Sequence, residues 1–230
     1  MRLMQDTIAG VLVGGQSRRM GRDKAALTHP QAGTFLDHVV SVARQVVPDV
    51  YLLGSSAAIP SSAKPLPTLA DAEAGQGPLA GLCSALDAAS PRWVLLLACD
   101  LPLLGARVLE RLLSHRSADV DAVAFTRESA PATLHACCAL YHPRILSVAR
   151  RELIVGKASL QSVLRSVRLT TLRPDVEDSR QLRNVNTPED LARFSNSFRY
   201  SLHGQRPDWH DVACEPDARR VISIAEAGNG

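Results

Sequence analysis

Asp100 closes an apolar run, 95-LLLACDLPLL-104, and a Leu-Pro pair follows it at once. A carboxylate fixed to the end of a buried strand and turned outward by proline is a rigid mount for a cation. One carboxylate completed by phosphate oxygens and water suits Mg2+, which seldom takes an all-protein cage; the plainer use of such a residue is to form the turn. A second group is the stretch 12-LVGGQSRRMGRDKAAL-27. Gly14 and Gly15 strip side chains from a turn, and Arg18, Arg19, Arg22 and Lys24 crowd positive charge beside it. Exposed backbone N–H groups cradle phosphate and Lys24 adds a point charge; with no ligand the same residues make a solvated basic loop. The pattern is neither G-x-G-x-x-G nor G-x-x-x-x-G-K-[ST]. Asp71 precedes glycines at 75, 77 and 81. Glycine admits a planar base close to the backbone, and a carboxylate accepts from the two donors on the Watson–Crick edge of guanine; a helix-capping or solvated Asp71 is the alternative. Asn184 and Asn186 flank Val185 just before a helix start, where their amides orient a ligand or simply shape the turn.

These residues need elements to hold them. Thr7 to Val13 is a short, nearly continuous apolar run, as in a strand buried on both faces. The pattern 35-FLDHVVSVARQVV-47 places Phe35, Val39, Val42 and Val46 on one helical face, and Pro48 stops it. Strands are expected at 50–53, 93–98, 121–125, 135–141 and 167–172, with a short one near Leu66. Helices are expected after Pro78, over 105–116, 144–153 and 159–163, and after Thr187, with Thr187 as N-cap, Pro188 in the first turn and Asp190 three residues on. Strands alternating with helices predict an α/β fold: a Rossmann-like, three-layer α/β/α arrangement around a mostly parallel twisted sheet. Ligands in such sheets bind beyond the carboxyl ends of the strands, and Gly14-Gly15, Gly54 and Asp100 all fall there. From Ser197 the chain turns polar and aperiodic. This predicts a domain over 1–196 and a C-terminal extension over 197–230, either poorly structured or a partial module. His203, His210 and Cys214 in that extension match no zinc spacing.

The formal charge of +3 on 230 residues is too small to suggest a nucleic-acid partner, and its local concentration suits a small anion better. The five cysteines form no CxxC pair, and four lie in apolar runs, as core thiols of a reducing compartment do. No apolar run approaches the roughly 20 residues of a membrane helix, and the expectation is a cytoplasmic protein without membrane contact. Nothing resembles a G-x-S-x-G elbow.

Four segments in order, 12-LVGGQSRRMGRDKAAL-27, 71-DAEAGQGPLAGLCSAL-86, 95-LLLACDLPLL-104 and 184-NVNTPEDL-191, resemble the nucleotidyltransferases of the molybdenum cofactor guanylyltransferase family. They span roughly residues 8–194. The resemblance implies a loop that wraps a triphosphate, with Leu12, Val13, Gly14, Gly15, Ser17, Arg18 and Lys24 at the nucleotide. It adds Asp71, Gly77 and Asp100 as nucleotide-binding positions and Asp100 as the Mg2+ ligand. Lys24 and Asp100 become the catalytic pair, and Asn184 and Asn186 close the side facing the acceptor. It further implies GTP as donor and molybdopterin cofactor as acceptor, with molybdoenzyme apoproteins or other cofactor-biosynthesis proteins as receivers of the product. Cytidylyl transfer to the same pterin, transfer to a sugar or alcohol phosphate, and a non-catalytic carrier are the competing readings; 77-GPLAG-81 looks like the guanylyl branch. Three positions depart from the pattern. Val13 replaces an alanine and is expected to add bulk beneath base or ribose, Gly54-Ser55 stands where an asparagine is frequent, and His135-Ala136 replaces His-Pro or Gln-Pro.

Overall fold

The computed structural model describes residues 6–13, 23–54, 66–69, 77–127, 133–156 and 159–202, with side chains to 196. Nine strands are described: β1 (Thr7–Leu12), β2 (Thr28–His29), β3 (Gly33–Thr34), β4 (Asp49–Leu53), β5 (Thr68–Leu69), β6 (Trp93–Ala98), β7 (Ala122–Thr126), β8 (Leu134–Tyr141) and β9 (Leu169–Leu172). The α-helices among the described residues are α1 (Phe35–Val46), α2 (Pro78–Ala89), α3 (Ala106–Ser114), α4 (Leu146–Ile154), α5 (Leu160–Arg165), α6 (Val176–Gln181) and α7 (Pro188–Leu202). Seven strands form one sheet in the order β5-β4-β1-β6-β8-β7-β9, while β2 and β3 make a small antiparallel pair.

Period-two patterning divides the sheet into two cores. Ala9, Val11 and Val13 face α1 and α3 with Val39, Val42, Val46, Val108 and Leu112. Ile8, Val94, Leu96 and Ala124 face α2, α4 and α5 with Leu82, Leu86, Ala149 and Val163. Gly10 lies on the second face, where an added Cβ would stand 2.5 Å from Leu53 Cδ1, so its lack of a side chain lets Leu53 cross the strand. Thr34 and Asp37 form the capping box that starts α1. Pro78 opens α2 after Gly77, whose φ of 74° and ψ of −163° favour glycine.

The parallel core is β5, β4, β1 and β6, with β7 and β9 parallel to each other. β8 runs antiparallel to both β6 and β7. The stretch of 127–133 between β7 and β8 is too short for the dozen or more residues of a parallel crossover, so the chain must turn back. Two further features escape a reading by periodicity: the β2–β3 pair, and α6, a short polar helix whose Asp175–Asp178 capping box starts it. The last helix runs through Leu202, across the expected boundary at 196/197, and 203–230 lie outside the described residues.

Asp121 ties the far half of the sheet together. Its carboxylate accepts from Arg168 N (3.0 Å), Nε (3.0 Å) and Nη2 (2.9 Å), and pairs with Arg144 Nε at 2.8 Å. The hydrogen bonds from Arg168 hold its carboxyl below the usual carboxylate range, against the opposing effect of burial. A depressed native pKa gives stability that is complete above the unfolded value of about 4 and lost as pH falls through the native one. Asp121→Asn is therefore expected to lower Tm by a few degrees at neutral pH. The gap to wild type should close as melts are taken below about pH 4; a gap independent of pH would show that charge is not the cause.

Candidate active site

The parallel strands β4, β1 and β6 end on the same edge of the sheet, and the chain adds β4 and β5 on one side of β1 and then β6 on the other, so the topological switch point falls between β1 and β6. Crevices at such switch points hold ligands. Leu12 pairs with Ala98 across that point, so the chain leaves β1 and β6 at neighbouring positions. Lys24 returns to the crevice at the start of a 3-10 turn (Lys24–Ala26), which Asp23 caps through Ala25 N at 2.9 Å.

Four sequence-predicted residues meet here. Lys24 Nζ donates to Asp100 Oδ2 at 2.9 Å and to Asn186 Oδ1 at 2.6 Å. Asn184 Nδ2 donates to Asp100 Oδ1 at 2.7 Å. Val185 N donates to the Asp100 carbonyl at 2.9 Å, which zips the Asn-Val-Asn segment against the end of β6. Val185 itself is buried with Leu27, Phe35 and Phe194, so the alternation sends the valine down and leaves both asparagines beside the carboxylate. The segment ends in a capping box: Asp190 Oδ2 accepts from Asn186 N and Thr187 N, and Thr187 Oγ1 accepts from Asp190 N at 3.1 Å.

Gly77 is the N-cap residue of α2. Leu12 is partly buried against the α2 face. Val13 corrects an expectation: its side chain is 1% exposed in the α1-side core, and its N–H donates to Leu53 O. Its bulk therefore lies in the core and not beneath a bound base or ribose. The sequence carried the signal, because period two places Val13 with Ala9 and Val11. Gly14, Gly15, Ser17, Arg18 and Asp71 lie outside the described residues.

Burial pushes the Cys99 thiol up to about 12, with Asp100 and Asp23 adding to the effect, and Cys137 up to about 11, with Asp100 adding. Both stay protonated and supply neither a nucleophile nor a soft metal ligand at neutral pH. No group of three His, Cys, Asp or Glu able to hold a metal occurs among the described residues. What the described residues of the crevice offer a cation is one hard carboxylate flanked by carboxamides.

Beside Asn184 and Asn186 lies an open cleft of about 490 Å3, lined by Arg127, His135, Ser179, Leu182 and Arg183 among others. Arg127 follows β7, His135 is the second residue of β8, and α6 supplies another wall. Burial and then the charge of Arg127 lower His135 to about 4, so it is a neutral donor or acceptor at pH 7. Sequence reasoning marked Asn184 and Asn186 on this side but not the two arginines, which sit in unrelated local contexts. No helix among the described residues is long and apolar enough to cross a membrane.

Comparison with known proteins bears on the family and the fold. The family model described as the MobA-like NTP transferase domain matches residues 9–172. A protein of Carboxydothermus hydrogenoformans, described as a probable molybdenum cofactor guanylyltransferase, is 30% identical over 85% of this chain and 98% of its own length. One of Nostoc with the same description is 36% identical over 85% of this chain and 93% of its own. Among solved structures, molybdopterin-guanine dinucleotide biosynthesis protein A of Archaeoglobus fulgidus superposes with a TM-score of 0.68 at 22% identity, covering 81% of this chain and 95% of that one. The 2-C-methyl-D-erythritol 4-phosphate cytidylyltransferase of Thermus thermophilus gives a TM-score of 0.59 at 14% identity, over 85% of this chain and 100% of that one. These two likenesses concern the fold.

Proposed function

The chain belongs to the MobA-like NTP transferase family, and from that premise we propose that it transfers GMP from GTP to the phosphate of molybdopterin cofactor. It is a nucleotidyltransferase. The observation that carries the reading is the Lys24–Asp100–Asn186 cluster at the β1/β6 switch point, with a basic cleft opening from its asparagine side.

In this reading a terminal phosphate oxygen of the acceptor attacks the α-phosphorus. The new P–O bond forms as the bond to the bridging oxygen breaks, and pyrophosphate leaves with that electron pair. No covalent enzyme intermediate arises, and catalysis is positioning with charge neutralisation. Mg2+ fits the donor set, since Asp100 offers a single hard oxygen site and the neighbouring thiols stay protonated. When bound, the ion supplies neutralisation of the triphosphate charge. Lys24 exchanges Asp100 and Asn186 for phosphate oxygens as the donor enters. Asn184 keeps Asp100 oriented, and Asn186, freed of Lys24, turns its carboxamide to the cleft. Arg127 and Arg183 neutralise the acceptor phosphate, while neutral His135 offers a hydrogen bond without adding charge.

An equimolar mixture of GTP, CTP, ATP and UTP, presented with Mg2+ and molybdopterin cofactor, tests donor and acceptor together. Mass spectrometry is expected to find molybdopterin guanine dinucleotide with stoichiometric pyrophosphate. A cytosine product would overturn the donor assignment, and nucleotide binding without any pterin dinucleotide would overturn the acceptor.

A further inference from the structure

Two histidines outside the polar cluster hold the loop that carries Asp100. His29, on β2, is 2% exposed, and its Nε2 lies 3.0 Å from Pro102 O. Its Nδ1 accepts from Gln31 N at 3.2 Å, which fixes the tautomer with the proton on Nε2, the nitrogen donating to Pro102. His38, on α1, places Nε2 2.9 Å from Leu104 O. The two rings stack with centroids 4.3 Å apart and planes within 12°. Thus two carbonyls of the 101–104 turn each receive one imidazole N–H.

The stack also meets the other side of the site. His29 lies edge-on to Phe35 at 6.2 Å and tilted against Phe194 at 5.7 Å, and Phe35 meets Phe194 edge-on at 5.3 Å. Leu27 and Val185 complete this small core, with Leu103 packed on it. Leu27 follows the Lys24 turn, Leu103 follows Asp100, and Val185 separates Asn184 from Asn186. The three segments that carry the polar cluster therefore share one packing centre. Burial, and then the neighbouring His29, lower His38 to about 4; burial lowers His29 too. Both rings are neutral at pH 7, so their stacking carries no charge repulsion.

We propose that the stacked pair His29–His38 is the positioning element of the nucleotidyl-transfer site, setting the Asp100 carboxylate for the metal–nucleotide complex through the Pro102 and Leu104 carbonyls. The inference rests on the assignment of Asp100 as metal ligand. The two rings bond the turn that carries Asp100, so the effect is on geometry: a shift of about 1 Å at reacting groups can cost ~100-fold in rate.

The test separates ring from donor at position 38. His38→Phe keeps a ring for the stack and removes the N–H, whereas His38→Gln keeps a donor where Nε2 stood. In His38→Phe, kcat is expected to fall by about 10-fold or more with KM for GTP within about 2-fold, and His38→Gln should recover most of the loss. Hydrogen exchange at the Val185 amide, which bonds the Asp100 carbonyl, should quicken about 10-fold in His38→Phe only. Mn2+ titrated by EPR in the presence of a non-hydrolysable GTP analogue should bind several-fold more weakly to that variant. Unchanged kcat and Val185 exchange in folded His38→Phe would overturn the proposal, as would equal losses in both variants that simply follow Tm. If wild type itself binds no Mn2+–nucleotide, the metal assignment fails, and the exchange comparison still decides whether the histidines hold the loop. Should His38→Phe not fold, His38→Leu carries the same expectations.

Discussion

Asp100→Asn is expected to lower kcat/KM by about 1000-fold, the scale of losing a charge contact that matters most in the transition state. Asparagine keeps the shape of the side chain and an oxygen that can accept from Asn184, so the local turn survives. It loses the negative charge, and with it both the pairing to Lys24 and the attraction for a cation. Lys24 and Asp100 retain only 19% and 12% side-chain exposure, so the surviving ammonium is poorly hydrated, though Asn186 still accepts from it. The stability cost of one broken charge-assisted contact is about 1–3 kcal/mol, too small to unfold an otherwise intact sheet. Turnover of the folded variant, checked by circular dichroism and melting temperature, is the measurement. A loss under about 10-fold would mean that Asp100 shapes the turn and nothing more, because a metal ligand cannot be neutralised so cheaply.

The positions legible in the sequence share one property: their chemistry is written locally. An apolar run ending in Asp-Leu-Pro reads as a strand end with an outward carboxylate, and β6 followed by Asp100 has that form. Thr187, Pro188 and Asp190 announce a helix start, and the capping box is there. The meeting of Lys24 with Asp100 and Asn186 spans 76 and 162 residues. It follows from the parallel order of β1 and β6, which alternation of strands and helices predicts.

What stayed hidden depends on tertiary neighbours. The reversal of β8 follows from the short 127–133 connection, and no periodicity reports the direction of a strand. The helix α6 has no apolar stripe, only an Asp-x-x-Asp box, yet it builds one wall of the cleft. Arg127 and Arg183 lie at the ends of separate elements and gain meaning only when β7 and α6 face each other. His29 and His38 read as ordinary residues of separate elements; their common purpose is visible only once both imidazoles are seen on carbonyls of the one turn that follows Asp100.

Lys24→Met is expected to cost about 100-fold in kcat, although it removes two opposing effects at once. Without ligand, the ammonium occupies Asp100 Oδ2 and Asn186 Oδ1, so it competes with any cation for the carboxylate. Deleting it frees that oxygen, a gain limited to about 1 kcal/mol because desolvation offsets most of the attraction in a mostly buried ion pair. In the proposed reaction, deleting it also removes the charge that meets the triphosphate, a loss of about 3–4 kcal/mol where charge builds in a water-poor site. The second effect wins by about 2–3 kcal/mol, which converts to the expected drop at 1.4 kcal/mol per tenfold. The two effects separate experimentally: kcat should fall while the Mg2+ concentration for half-maximal rate stays level or decreases. Lys24→Arg should recover only part of the rate, since a planar fork cannot replace a point charge at both partners. If kcat of Lys24→Met holds within a few-fold and only Mg2+ dependence changes, Lys24 is a clamp on the ligand-free carboxylate, and the charge on the leaving pyrophosphate is met elsewhere.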